Sequence, residues 1–291
     1  MEAALAICRF AHFGAAMTLF GATAFVVAFA PPDLALALAP AARAIAAAAI
    51  PLAALSGLAW LALESASMAG DWSATADPQS IGAVLSETGF GAIWLWRLAL
   101  AAALAVALAF GRIALNRALV AATALLLASL GLVGHAAMQT GAVGALHRAN
   151  DALHLLATGA WIGGLPMFAL SLRAYRESSL AAGAMTAMRR FSFWGQIDVA
   201  LIVLTGIANI GLTSSFGAVT PTTPYRLLLA AKLTLVAAMV ALALFNRYAL
   251  SPRLAQDDSA QRALWRNCVV EFILGAAVVG LVSLFGLLDP N

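Results

Sequence analysis

Tyr225-Arg-Leu-Leu-Leu-Ala-Ala-Lys232-Leu-Thr-Leu-Val-Ala-Ala-Met-Val-Ala-Leu-Ala-Leu-Phe-Asn246 is a run of 22 residues in which only Arg226 and Lys232 carry charge. An α-helix needs about 20 mostly apolar residues to cross the hydrocarbon core of a bilayer. Working outward from this run, the chain contains eight of its kind: Leu5–Ala30, Arg43–Met68, Phe90–Phe110, Ala118–Met138, Asn150–Leu172, Phe191–Thr213, Tyr225–Asn246 and Asn267–Leu288. Across all 291 residues, 63% are apolar and 10% charged, and mean hydropathy is +0.94. A soluble domain is about 45–50% apolar and about 25% charged. The composition excludes a soluble enzyme and a disordered chain. The expected fold is an all-α integral membrane protein with eight transmembrane helices, solvated by the lipid bilayer.

The run from Ala3 to Ala30 has no basic segment before it and exceeds the about 7–15 apolar residues of a signal peptide, so it reads as the first spanning helix. Pro31, Pro32, Pro78, Pro221, Pro224 and Pro252 fall in connections, while Pro51 and Pro166 fall inside helices. Cys8 and Cys268 lack CxxC spacing and read as small packing residues. The net charge of +3 comes from arginines gathered in alternate loops. Arg112 and Arg117 follow helix three, Arg173, Arg176, Arg189 and Arg190 follow helix five, and Arg247, Arg253, Arg262 and Arg266 follow helix seven. Arg43 sits in the loop after helix one. The positive-inside rule places these loops in the cytoplasm and both termini in the periplasm of a bacterial inner membrane.

Short strings recur in order. Arg9-Phe-Ala-His12 with Gly21 is matched by Asp151-Ala-Leu-His154 with Gly163. Ser56-Gly57 is matched by Thr205-Gly206, Trp96-Arg97-Leu98 by Tyr225-Arg226-Leu227, and Ser129-Leu130 by Ser283-Leu284. They predict a four-plus-four pseudo-repeat in one membrane domain, 1–138 and 146–291. Four is even, so the halves run parallel about an axis along the membrane normal.

Ionisable side chains inside spanning helices are costly and are functional candidates by default. His12, His135 and His154 all lie toward the outer ends of their helices, and His147 lies in the outer connection before helix five. Imidazole is the commonest metal ligand, and thioethers favour Cu(I). Met138 follows His135 by three residues, and Glu64 and Met68 are i,i+4 neighbours at the outer end of helix two. Candidate metal ligands are therefore His12, His154, His135, His147, Met138, Glu64 and Met68, with His12 and His154 as symmetry mates that would face one metal. Arg97 and Arg226, beside Trp94, Trp96 and Tyr225, read as belt anchors that snorkel to the interface. Asp198 and Glu271, in the inner halves of helices six and eight, are expected to pair with loop arginines such as Arg190 or Arg266, or to form an inner relay. Lys232, the single lysine, could neutralise a carboxylate or hold an anionic group, and Asn209, Asp198 or Glu271 would carry any onward polar route.

No P-loop, no GxGxxG after a strand, no GxSxG elbow and no nucleic-acid module is present. No enzymatic activity, ATP-driven transport or nucleic-acid partner is expected. The string Asp151-Ala-Leu-His154-Leu-Leu-Ala-Thr-Gly-Ala-Trp161-Ile-Gly163-Gly164-Leu165, preceded by Gly134-His135-Ala136, resembles the copper resistance protein D (CopD) family of bacterial inner-membrane proteins. Its pattern here is an Asp, a His three residues on, then Trp-x-Gly-Gly-Leu. The resemblance implies copper handling, with uptake from periplasm toward cytoplasm beside a periplasmic copper-binding protein of the CopC type. No stretch of the sequence reads as such a soluble domain, so a separate partner is expected. Two histidines on facing helices also suit bis-imidazole ligation, so a haem b electron-transfer protein, with metal or quinone reductase activity, is the alternative. A structural subunit whose histidines only bond neighbouring helices is the third reading.

Overall fold

The computed structural model describes residues 1–134, 139–213 and 223–285. Among them the chain is all α-helical, with no strand. The long helices are α1 (Glu2–Ala28), α2 (Pro32–Ala69), α4 (Gly89–Ala109), α6 (Gly141–Ala174), α7 (Ala181–Thr213), α8 (Pro224–Phe245) and α9 (Asp258–Phe285), joined by the shorter α3 (Pro78–Glu87) and α5 (Arg117–Ala128). Among the described residues, seven helices are long and apolar enough to cross a membrane. The expected fourth span is represented by Arg117–Leu132, an apolar helix too short for that set, whose last turn is 3-10. His135 and Met138 lie outside the described residues.

Several boundaries differ from the expectation. Pro32 opens α2 at a position where its missing N–H costs nothing, so the helix starts early and encloses Arg43, Pro40 and Pro51. The connection from α1 is thus only Phe29–Pro31, which forces the two helices antiparallel. α6 starts at Gly141, so His147 belongs to the helix and not to a loop. Between α2 and α4, a 3-10 turn (Trp72–Thr75) and α3 form a cap that apolar counting did not reveal. Asp71 and Asp77 cap the two segments, accepting from the backbone N–H groups of Ser73, Gln79 and Ser80. Thr88 then caps α4 by accepting from Gly91 N while donating to Val84 O.

The seam of the bundle is the crossing of α1 and α6. A Cβ at Gly21 would collide with the backbone of Gly159 and Gly163, and one at Gly163 would collide with Met17 O. Only glycine allows this backbone-to-backbone approach, the small-residue packing of membrane interiors. Around the seam lie two apolar clusters. One, toward the arginine-rich end, gathers Phe25, Trp161, Met167, Phe191 and Leu264. The other, toward the arginine-poor end, gathers Met17, Trp60, Trp94, Leu127 and Leu155. Val84 of α3 closes that second cluster from outside.

Candidate polar and metal-binding site

The first polar site is built on α1, α2, α4 and the end of α5. His12, buried, contacts Ser56 Oγ through Nδ1 at 3.0 Å and Arg97 Nη2 through Nε2 at 2.6 Å. Ser56 donates its own hydroxyl hydrogen to Leu52 O. Nδ1–H of His12 therefore donates to Ser56, and Nε2 is the lone-pair nitrogen that accepts from Arg97. Arg97 is 2% exposed; it also donates to Leu126 O at 2.6 Å and to Ser129 Oγ, and lies 5.0 Å from the Trp94 ring centroid. Arg97 is thus a buried cation among neutral acceptors, which corrects the expected snorkelling anchor. Trp94 is locked by its indole N–H to Gly57 O at 2.9 Å. Trp60 and Trp94 pack on the imidazole at 5.7 and 5.6 Å and wall it off.

The second site uses the same device with a different outcome. His154 Nδ1 contacts Thr205 Oγ1 at 2.8 Å, and Thr205 donates to Leu201 O. Nδ1–H is again the donor and Nε2 again keeps the lone pair. Gly57 and Gly206 take equivalent places beside the rings: a Cβ would lie 3.5 Å from His12 Cε1 and 3.6 Å from His154 Cε1. Here the nearby cation is Lys232 of α8, which acts on both His154 and Asp151.

His154 belongs to a stripe along α6. Asp151, His154 and Thr158 follow His147 at successive spacings of four, three and four, with Asn150 three residues after His147 and four before His154, one face of a helix. Asn150 donates to Thr205 O at 2.9 Å and to Asn209 Oδ1 at 2.6 Å, and Asn209 donates to Asp151 at 2.9 Å. Gln139 ties the top of the stripe to α7 by donating to Leu212 O at 2.6 Å, and its Oε1 accepts from His147 Nδ1 at 3.0 Å. His147 therefore also presents Nε2 as its lone-pair nitrogen. An imidazole whose second nitrogen is held by an outer acceptor is the usual condition of a metal-ligating histidine. The stripe holds two of them with a carboxylate between.

The structure separates the remaining candidates. Glu64 accepts from Trp60 and interacts with Arg9, and Met68 is 61% exposed on the last turn of α2. Both stand on the rim of the first half, away from the α6 stripe. His12 and His154 take their partners from different halves and do not converge on one ion. Among the described residues, no three of His, Cys, Asp and Glu are already close enough to hold a metal. A haem does not fit between the two imidazoles. Both nitrogens of His12 are engaged, the space beside it is a cavity of about 10 Å³, and α1 meets α6 backbone to backbone. Glu271 pairs with no loop arginine: it accepts from Asn246 at 2.6 Å and from Trp161, while Arg190 donates to Phe29 O.

The sequence pairs His147 with His154 on one face only if the helix starts before Asn150, and the start at Gly141 meets that condition. Asn150 and Thr205 are site residues that the sequence does not single out as such.

Residues 1–145 match the family model described as copper resistance protein D-like, N-terminal domain, and residues 185–285 match the one described as copper resistance protein D. The chain is 34% identical over 285 residues to "Inner membrane protein YebZ" of Escherichia coli (strain K12), covering 97% of each. It is 33% identical over 223 residues to "Copper resistance protein D" of Pseudomonas syringae pv. tomato, covering 72% of this chain and 71% of that one. No solved structure matches.

Proposed function

Because the chain belongs to the copper resistance protein D family and is a multi-pass inner-membrane protein, we propose that it captures copper at the arginine-poor, periplasmic end and passes it toward the cytoplasm. The α6 stripe is the capture site. His147 and His154 supply Nε2 lone pairs, and Asp151 supplies a carboxylate one turn from each. Copper binding draws the three side chains together, since they do not meet without it. The single observation that carries this reading is the pair of histidines whose Nδ1–H groups are held by Gln139 and Thr205, leaving both Nε2 atoms for a metal. Imidazole and carboxylate donors suit Cu(II) better than thioethers do.

Lys232 neutralises Asp151 before copper arrives and is displaced as the ion binds. His12 is a packing and hydrogen-bonding residue in this scheme, because a guanidinium 2.6 Å from its lone pair opposes a metal cation there. His135 and Met138, just before α6 in sequence, complete or feed the site. Glu64 and Met68 stay on the opposite rim. A separate periplasmic copper-binding protein of the CopC type delivers the metal, and the buried Glu271 and half-buried Asp198 of the arginine-rich half lie on the way out.

The test is copper stoichiometry on purified protein, compared between a His147→Ala, His154→Ala double variant and His12→Gln. Loss of copper in the first and retention in the second is the expected result. Unchanged copper in the double variant overturns the site. Uptake into right-side-out vesicles, absent in the double variant, then tests the direction.

A further inference from the structure

A cavity of about 530 Å³ lies between α6, α7, α8 and α9, in the arginine-rich half and apart from the α6 stripe. This volume is in the range of small-molecule sites, about 300–1,000 Å³. α7 and α8, which barely touch, flank it, so it faces the lipid through the gap between them. Its walls are aromatic and aliphatic. Trp161, Phe168 and Phe191 form one side, with the two phenylalanine rings 5.3 Å apart.

One part of the lining is polar in a specific way. Glu271 faces the cavity and accepts from Asn246 Nδ2 at 2.6 Å and from the Trp161 indole. Asn267 donates to Asn246 Oδ1 at 2.7 Å and so fixes the amide. Asn246 opens a π-helical turn, Asn246–Leu250, a local widening often found at functional sites. A carboxylate has about four acceptor positions and an amide nitrogen two hydrogens. The described contacts use two of the former and one of the latter. A carboxylate beside an apolar cavity at membrane depth is costly unless a ligand or partner uses it.

The ligand must combine a flat ring for the aromatic wall, an oxygen that both donates and accepts hydrogen bonds, and an apolar tail able to leave through a lipid-facing gap. A phospholipid fails on the second count: its phosphate would meet Glu271 with like charge, and its acyl chain offers no hydrogen bond. Arg247, the cation on the cavity lining, is already bonded to Ser192 at 2.7 Å. We propose that this cavity binds the head group of a membrane quinol, its ring against Trp161, Phe168 and Phe191, a ring hydroxyl donating to Glu271 and accepting from Asn246, and its tail between α7 and α8.

The test is equilibrium binding of a short-chain ubiquinol analogue, kept reduced by anaerobic handling, to the full-length protein in phosphatidylcholine nanodiscs. Gly195 lines the cavity and a Cβ added there meets nothing within 4 Å, so Gly195→Phe is the variant chosen to fill the space. Saturable binding at one per chain is expected. It should weaken about tenfold or more in Gly195→Phe and in Glu271→Gln, with His154→Ala unaffected. Val203→Phe, also on the lining, is the second blocking variant, used if the melting curve shows that Gly195→Phe is misfolded. Non-saturable partitioning, or equal binding in the blocked variants, overturns the proposal. So does a co-purifying phospholipid that the blocking variants expel. The copper-capture reading fails or survives separately, because the capture residues His147, Asp151 and His154 do not line this cavity.

Discussion

Arg97 donates through Nη2 to Nε2 of His12 at 2.6 Å. That contact divides the two histidine sites. Each imidazole is oriented by a hydroxyl that has spent its own hydrogen on a carbonyl one turn back. In the first site the remaining lone pair is given to a guanidinium, and in the second it stays with the imidazole. The same local device yields a structural joint in one place and, on the copper reading proposed above, a ligand in the other.

Arg97→Met leaves His12 Nε2, Ser129 Oγ and Leu126 O without this donor. A buried polar group left unsatisfied costs about 1–3 kcal/mol. The melting temperature in detergent should drop while copper stoichiometry stays unchanged. Loss of copper with the fold intact would return His12 to the ligand set.

On the copper reading proposed above, Lys232→Met removes the cation that competes with the metal for Asp151. Copper should bind about tenfold more tightly, equivalent to about 1.4 kcal/mol, and the copper-free protein should melt earlier, since Asp151 keeps Asn209 alone of these two partners. Weaker copper binding would show that Lys232 supports the site instead of guarding it.

Gly21→Val places a side chain into the backbone of α6, whereas Gly14→Ala meets nothing within 4 Å. Overpacking costs about 1–3 kcal/mol where neighbours can shift, and a backbone contact leaves little room to shift. Gly21→Val should reduce folded yield sharply and Gly14→Ala should not. Equal yields would mean that the α1–α6 seam is absent in the folded protein.

Asp77 holds the start of α3. Hydrogen bonds from the Ser80 hydroxyl and from the backbone N–H groups of Ser80 and Gln79 keep its carboxyl below the usual value. A depressed carboxyl stabilises the fold above the unfolded value, about pH 4, and that contribution is lost as pH falls through the lower folded value. Acidification below about pH 4 should loosen α3 and expose the Trp94 cluster to a fluorescence quencher. Asp77→Ala should show the same exposure at neutral pH. No change in quenching in either case would mean that α3 is held by Val84 alone.

Apolar runs of about 20 residues are unambiguous because the bilayer sets their length, and the structure follows them in seven of the long helices. Such counting fails where a helix carries polar residues beyond the apolar run. The turns from Gly141 to Arg148 add His147 to the face of His154, and the extension from Pro32 encloses Arg43. α3 was invisible for the same reason: it is short and rests on Phe90 and Trp94 instead of on lipid. For the site, residue types identified the histidines, but their ligating capacity turns on which atom faces Nε2. Arg97 reaches His12 from 85 residues away. No spacing rule along one chain reports that contact.

The glycine seam also decides which parts of the bundle are free to move. α1 and α6 touch through backbone atoms, so parting them would open a void with no side chain to fill it. α7 and α8 share almost no such surface. α7 is packed on α6 as closely as α1 is, so opening and closing a path beside the α6 stripe costs least as a swing of α8 away from a stationary α1–α6–α7 group, and His154 and Thr205, mounted on the stationary side, keep their places while Lys232 moves past them.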